Sequence, residues 1–280
     1  MQKSNKMKKI AFFLFLILTN LIDLSCFGQN QIDVTYIANA GFLIESNDKK
    51  VLIDALFKNG WDNYLIPADS IVSKIVHQEA PFDKVRLMLI THNHGDHFNA
   101  SMVAAYLNSN PGNVLIAPPL VAKEVLMIPD VKISRNQIIE LDLISRVVND
   151  TIINGIRVKS FLLQHDTRPE IENVGYLVEM NGFKVFHTGD CTGSKITEFE
   201  KLQLQNEQID LALLNFYGFW NTKEERNFTE EFIHPRKIAL FHIPPTEIVI
   251  VKKSMEQIHD FPDITVFESS MKKRSFIGEK

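Results

Sequence analysis

The stretch "LITHNHGDHF", residues 89–98, sets His92, His94, Asp96 and His97 within six positions at the end of the apolar run "VRLMLI". In an extended segment, side chains two apart share a face, so His92 and His94 project together. Gly95 permits a sharp change of direction, after which Asp96 and His97 point elsewhere but stay close. One short segment thus presents two pairs of donors. Imidazole nitrogen with carboxylate oxygen suits a borderline cation such as zinc. The plainer reading is a surface loop whose histidines only form hydrogen bonds. Three His and one Asp around a Gly, directly after an apolar strand, argue against it.

A cation held there needs donors from elsewhere in the chain. His165 closes "RVKSFLLQH", Asp190 closes "KVFHTGD" beside Gly189, and His242 closes "KIALFHIPP" ahead of Pro244 and Pro245. Each lies at the carboxyl end of a strand pattern, as the 92–97 cluster does. His187, three before Asp190, competes with His165 and is given a supporting or substrate-pocket role. His234 precedes a strand and faces either the pocket or solvent, while His77 and His259 sit in polar, helix-like contexts and read as solvated. The run "NFYGFWN", 215–221, comes after the strand pattern "DLALL". Aromatics beyond a strand end often line a pocket, so Phe216, Tyr217, Phe219 and Trp220 are candidate substrate-binding residues. The rival is a loop tucked onto the core. Segment 57–80, with Trp61 and Tyr64, would form the opposite wall.

The elements that must position these groups are mostly strands. "DVTYIA" and "GFLIES" alternate, and "KKVLIDALF" comes after the turn "SNDKK". "KVRLMLI" and "NVLIAPP" read as short buried strands, and "NASMVAAYLNS" between them as a helix capped by Asn99. "LVAKEVLM" and "SIVSKIVHQ" also read as helical. Further on, "QIIELD", "TIINGIRVKSFLLQH" and "VGYLVEMNGFKVFHTGD" are strands, the last folded at Asn181–Gly182 by a two-residue hairpin turn. "IDLALLNF", "KIALFHI" and "DITVFES" come next, interleaved with helices at "KITEFEKLQLQ" and "EIVIVKKSMEQIHDF". Strands outnumber helices, and helices fall between groups of strands. That pattern favours layered sheets with helices packed outside.

The first 28 residues read as a leader. "MQKSNKMKK" carries Lys3, Lys6, Lys8 and Lys9, "IAFFLFLIL" is unbroken and apolar, and Asn20 and Asp23 interrupt the residues after it. A bilayer span needs roughly 20 apolar residues, so no stable transmembrane helix is expected. A basic head, short apolar middle and small-residue end suit a secretory signal cleaved after Gly28, leaving one domain over 29–280, periplasmic or secreted. Two other readings are a lipoprotein anchored through Cys26 and a retained N-terminal anchor. In the lipoprotein reading, "LSC" has Asp23 where an aliphatic residue is usual. Setting the leader aside leaves 26 basic and 33 acidic residues, a net −7. That charge disfavours nucleic acid as a partner. Cys191 is then the only cysteine, so no internal disulfide can form.

The segment "THNHGDH" resembles the His-x-His-x-Asp-His signature of the metallo-β-lactamase superfamily. "YIANAGFLIESNDKKVLID" looks like that family's opening hairpin, ending on Asp54. His165, "HTGD" with Asp190, and "LFHIPP" with His242 come in the family's order, so the resemblance covers most of 32–245. "IDLALLN", then aromatics, then a strand ending in His, is most similar to the subgroup of ascorbate-phosphate lactonase-like and N-acyl-phosphatidylethanolamine phospholipase D-like hydrolases. The resemblance implies an α+β, four-layer αββα sandwich with two metals at one edge. It implies His92, His94 and His165 on one metal, Asp96, His97 and His242 on the other, and Asp190 bridging. Cys191 departs from the Thr or Ser common after the bridging Asp and reads as a small buried residue.

The expected cofactors are two divalent ions, zinc foremost, with manganese or iron as alternatives. The expected reaction is hydrolysis of an ester, lactone, amide or phosphodiester by a metal-bound hydroxide, with Asp96 as the catalytic residue that orients the nucleophile or takes its proton. No Gly-x-Ser-x-Gly motif and no credible Cys–His pair offers a rival nucleophile. The substrate is expected to be a small molecule or lipid-like; no residue argues for a β-lactam. The competing classes are an iron-dependent redox enzyme on the same fold and a non-catalytic metal-binding protein.

Overall fold

Left-handed residues close the hairpins. The computed structural model describes residues 30–278 apart from 146, 147, 167, 169, 193–195, 259, 260 and 262. The leader with Cys26, and His259, lie outside the described residues. Strands β1 (Gln31–Ala38) and β2 (Gly41–Ser46) turn through Asn39, at φ 41°. β3 (Lys49–Ile53) completes an antiparallel meander. β4 (Leu87–Leu89), β5 (Val114–Ala117) and β6 (Ile138–Glu140) then add in parallel. The second sheet starts with β7 (Val148–Ile153) and β8 (Ile156–Leu162), and continues with β9 (Val174–Met180) and β10 (Phe183–His187). β11 (Leu211–Asn215), β12 (Lys237–Phe241) and β13 (Asp263–Val266) extend it in parallel from β10. β14 (Lys272–Ile277) returns to the first sheet and pairs antiparallel with β1. The orders are β14-β1-β2-β3-β4-β5-β6 and β13-β12-β11-β10-β9-β8-β7.

Two strand features depart from the expected elements, as do the helices Phe216–Phe219 and Lys223–Phe232. "TIINGIRVKSF" is a hairpin, because Asn154 and Gly155 take φ 51° and 73° and split it into β7 and β8. The same Asn-Gly chemistry closes Asn181–Gly182, at φ 52° and 79°, as expected. β14 gave no strand signal because Lys272, Lys273, Arg274 and Ser275 are exposed and only Phe276 is buried. A charged edge of this kind resists further pairing.

Three apolar clusters define four layers. The inner faces of both sheets meet through Phe42, Ile44, Val51, Ile53, Val174, Tyr176, Val178 and Val185. Leu43, Leu52 and Met88, on the outer face of the first sheet, pack under helices Asp69–His77, Ala100–Ser109 and Pro119–Leu126. The outer face of the second sheet, with Leu177, Phe186 and Leu214, packs with side chains of helices Ile196–Leu202, Phe216–Phe219, Lys223–Phe232 and Ile248–Met255. The central strands of both sheets are covered on both faces and read as continuous apolar runs, whereas β7 and β14 at the edges are largely exposed. The result is the expected α+β, αββα arrangement. Asn99 caps its helix as expected, accepting from Met102 N at 3.1 Å. Among the described residues, no helix is long and apolar enough to cross a membrane.

One buried hydroxyl ties the sheets together next to the histidine cluster. Tyr176, on β9, donates to Ile90 O at 2.8 Å and lies 3.2 Å from Ile116 O, both on the first sheet. Tyr176→Phe leaves the Ile90 carbonyl buried without that donor, at a cost of about 1–3 kcal/mol. Urea unfolding should show a lower midpoint at an unchanged slope.

Candidate metal centre

The chemistry-bearing residues collect where strands end. β3 and β4 run parallel and finish at Asp54 and, two residues past Leu89, at Thr91. β8 and β10 both run antiparallel to β9, and β10, β11 and β12 are parallel, so these four strands end on one edge. Asn215 closes β11, and beyond the ends of β8, β10 and β12 lie His165, Asp190 and His242. Val174 N donates to Thr91 O at 3.0 Å, which joins the two edges beside His92. The turn 94–98 is closed by His97 N and Phe98 N, both donating to His94 O. Gly95 takes no left-handed φ there; its missing Cβ makes room for Asn59, whose Cβ would lie 3.0 Å away.

All seven expected ligands come together. His92, His94, His165 and Asp190 each offer one donor atom within 4.8 Å of the others, and Asp96, His97 and His242 do the same in a second group. Asp190 faces both groups. Its Oδ2 lies 3.2 Å from His165 Nε2 and 3.9 Å from His97 Nε2, and its Oδ1 lies 3.4 Å from His242 Nε2. Among the described residues, four buried ring nitrogens here have no hydrogen-bond partner: Nε2 of His92, His97 and His165, and Nδ1 of His242. Buried polar groups are almost always satisfied, so this concentration is unusual. The three Nε2 atoms, with the carboxylates between them, fit divalent cations in donor type.

The surroundings orient these rings. Asp54, fully buried, accepts from Thr91 N at 2.8 Å, from Thr91 Oγ1 at 2.6 Å and from His97 Nδ1 at 2.8 Å. The Thr91 proton is used on Asp54, so the Thr91 oxygen accepts from His92 Nδ1 at 3.0 Å. Both rings therefore carry hydrogen on Nδ1 and turn Nε2 inward. Burial pushes His92 well below the usual imidazole range, helped by the charge of His97. Burial and the neighbouring His165 lower His94 to about 4. Burial also opposes charge on His97, but the Asp54 hydrogen bond and the charges of Asp54, Asp96 and Asp190 win and raise it to about 9. For Asp190, burial favours the neutral acid, yet the ring of histidines, His242 foremost, holds it well below the usual carboxylate range. Asp96 is held low in the same way, against its burial, by His242, His97 and Trp61.

Several contributors carry no sequence signal of their own. Asn39 Nδ2 donates to Asp96 Oδ2 at 3.0 Å, and Asn215 Nδ2 to Asp190 Oδ1 at 2.6 Å. Asp190 N donates to Asn173 Oδ1 at 2.9 Å, a contact that a Cβ on Gly189 would block at 2.3 Å. Trp61 Nε1 donates to Asp96 Oδ1 at 3.0 Å, and the Tyr64 ring lies 4.2 Å from that of His242. Segment 57–80 is therefore a wall of the site through these two residues.

The substrate-binding expectations need correction. His187 is fully buried and stacked on Phe241 at 4.6 Å, with Nε2 donating to Ala40 O and Nδ1 accepting from Gly189 N, so no polar atom is left for a ligand. Burial lowers its proton affinity to about 4. Phe219 and Trp220 are fully buried in the outer core, and Phe216 packs in the same cluster. Helix Phe216–Phe219 turns those rings under the second sheet, while Gly218 lies against Thr192 and Cys191. Only Tyr217 of the four faces solvent. Cys191 is buried, as expected, and forms an isolated bridge with His165. His77 and His234 are exposed and bond to Ser73 and Glu230.

Known proteins resemble this arrangement. The metal-dependent hydrolase TK0141 of Thermococcus kodakarensis is 26% identical over 220 residues, which cover 76% of this chain and 84% of that protein. Among solved structures, Igni18, described as a novel metallo hydrolase of Ignicoccus hospitalis, superposes with a TM-score of 0.59 at 15% identity, covering 89% of this chain and 100% of that one. The metallo-beta-lactamase fold protein YhfI of Bacillus subtilis gives a TM-score of 0.60 at 12% identity, with 88% and 100% covered. At such identities the structural likeness speaks for the fold alone. The family model described as a beta-lactamase superfamily domain matches residues 33–226, most of the chain and every site residue except His242. The chain belongs to the beta-lactamase superfamily.

Proposed function

We propose that this protein is a metal-dependent hydrolase whose cation site is built from His92, His94, His165, Asp96, His97, His242 and Asp190. The observation that carries the reading is the convergence of unpartnered, buried imidazole nitrogens on Asp190. The relatives bearing the name metal-dependent hydrolase support it. His92, His94 and His165 would hold one ion and Asp96, His97 and His242 a second, with Asp190 between. Zinc suits the nitrogen-rich donors best, and manganese or iron would be accepted by the same atoms. A divalent ion held there would supply Lewis acidity and make a water available as hydroxide near neutral pH.

The chain's own residues do the rest. Asp54 and Thr91 lock the tautomers of His97 and His92, so the ring nitrogens face inward without searching. Asn39 and Trp61 each donate to Asp96, which fixes its carboxylate plane. Asp96, so held, would orient an attacking water. The reading covers an ester, lactone, amide or phosphodiester of a small-molecule or lipid-like substrate. The basic and apolar stretch of residues 1–28 supports export of the mature chain.

Zinc- or manganese-loaded protein should hydrolyse 4-nitrophenyl esters or bis(4-nitrophenyl) phosphate and lose that activity to a chelator. Asp96→Ala should lower kcat by about a hundredfold or more. Equal rates for both proteins at equal metal content would remove the case for hydrolysis. Asp54→Ala should weaken cation binding by roughly 10–100-fold, read by competition with a chromogenic chelator. Unchanged affinity would mean that the ring orientations do not depend on Asp54.

A further inference from the structure

The described residues hold many aromatic side chains, and nearly all are buried or half-buried. Among them only two large aromatic side chains are exposed, Trp61 at 56% and Tyr217 at 37%. Both stand at the candidate metal centre. Trp61 is anchored by its indole N–H on Asp96 Oδ1 at 3.0 Å, which leaves most of the ring uncovered beside that carboxylate. Tyr217 lies two residues past Asn215, whose side chain binds both Asp190 Oδ1 at 2.6 Å and Tyr217 N at 3.1 Å. Its hydroxyl is tied to Glu247 and its ring packs edge-on against Phe216 at 5.1 Å, so the ring is held rather than free to fold away. The half-buried Tyr64 ring lies on His242. The Trp61 and Tyr64 rings thus attach to Asp96 and His242, while Tyr217 is joined to Asp190 through its backbone N on Asn215.

Surface aromatics scattered at random need no account, but here one exposed ring is bonded to Asp96 and the other lies two residues past the asparagine that binds Asp190. Packing does not explain them, since a Trp or Tyr that serves the core is buried, as Trp220, Tyr106 and Tyr176 are. Their fixed hydrogen bonds also mean that little side-chain freedom is lost when a ligand covers them. A rigid, uncovered indole face suits a flat partner, which it can meet in an offset or edge-to-face arrangement. An aliphatic chain would gain area but not that geometry.

We infer that the site takes substrates bearing a planar aromatic ring close to the scissile group, received by Trp61 and Tyr217. This rests on the hydrolase reading and specifies which substrates it acts on.

The test separates the two. Phenylphosphonate and cyclohexylphosphonate carry the same cation-binding head and differ in ring planarity. Each is titrated into the zinc-loaded full chain and monitored by calorimetry and by tryptophan fluorescence, in which Trp61 is the exposed reporter and Trp220 the buried one. Methyl phenylacetate and methyl cyclohexylacetate, whose methylene insulates the ester from the ring, are compared by pH-stat. The phenyl compound should bind, and its ester turn over by kcat/KM, roughly three- to tenfold better. Tyr217→Ala and Trp61→Ala should each shrink that ratio. Trp61→Phe, which keeps a ring but loses the N–H, should retain the ratio while lowering kcat on both esters. Equal handling of the two rings, a preference for cyclohexyl, or a ratio that survives in the double alanine variant overturns the inference and leaves hydrolysis standing. Failure of both phosphonates to bind zinc-loaded protein, with neither ester turned over, sinks both readings together.

Discussion

Three carboxylates sit among six histidines where little water enters, and the surrounding structure is organised around that fact. Asp54 is fully buried and Asp96 nearly so, while His92, His97 and His165 are at most 2% exposed. Charges in such a setting are costly unless each meets an opposite charge or a donor. The chain meets the demand locally. Asp54 takes three donors, Asp96 takes Asn39, Trp61 and His242, and Asp190 takes Asn215 and the surrounding rings. The groups left unmatched there, among the described residues, are four ring nitrogens and Asn39 Oδ1, and the inward-facing nitrogens bear on what the site can hold.

The sandwich supplies the walls for this arrangement. Strands end where the donors are needed, and the chain leaves several of those ends through the left-handed region. Asp54 at φ 44°, Gly189 at φ 57° and His242 at φ 59° all do so. Glycine tolerates this conformation, but Asp and His adopt it at a cost that their hydrogen bonds and packing must offset. Unfavourable backbone geometry is thus concentrated at the strand ends that carry the chemistry.

Much of this was legible in the sequence. The spacing of His92, His94, Asp96 and His97, and the strand-terminal placement of His165, Asp190 and His242, were enough to anticipate the cluster in which these residues meet. Alternating and continuous apolar runs gave the layers. The aromatic run 216–220 misled, because a strand end with rings after it looks the same whether the next turn points them to the mouth or to the core. A four-residue helix buries Phe216, Phe219 and Trp220 and leaves Tyr217 outside. His187 misled for a related reason: a histidine whose two nitrogens are satisfied by backbone looks, in one dimension, like one awaiting a ligand. Asn39, Asn173 and Asn215 were silent because an asparagine beside a turn is ordinary until its partner is known. β14 was silent because an edge strand with one buried side chain has no period to detect.

Tyr176 reaches from one sheet to the carbonyl two residues ahead of His92, and Val174 holds the backbone of the residue between. The separation of the two sheets is thereby coupled to the distance between donors contributed by each of them. The interleaf side chains, far from any reactant, set the bite of the cluster as the jaws of a calliper set its gap. A methyl group added or removed there would retune reactivity with every donor atom left chemically unaltered.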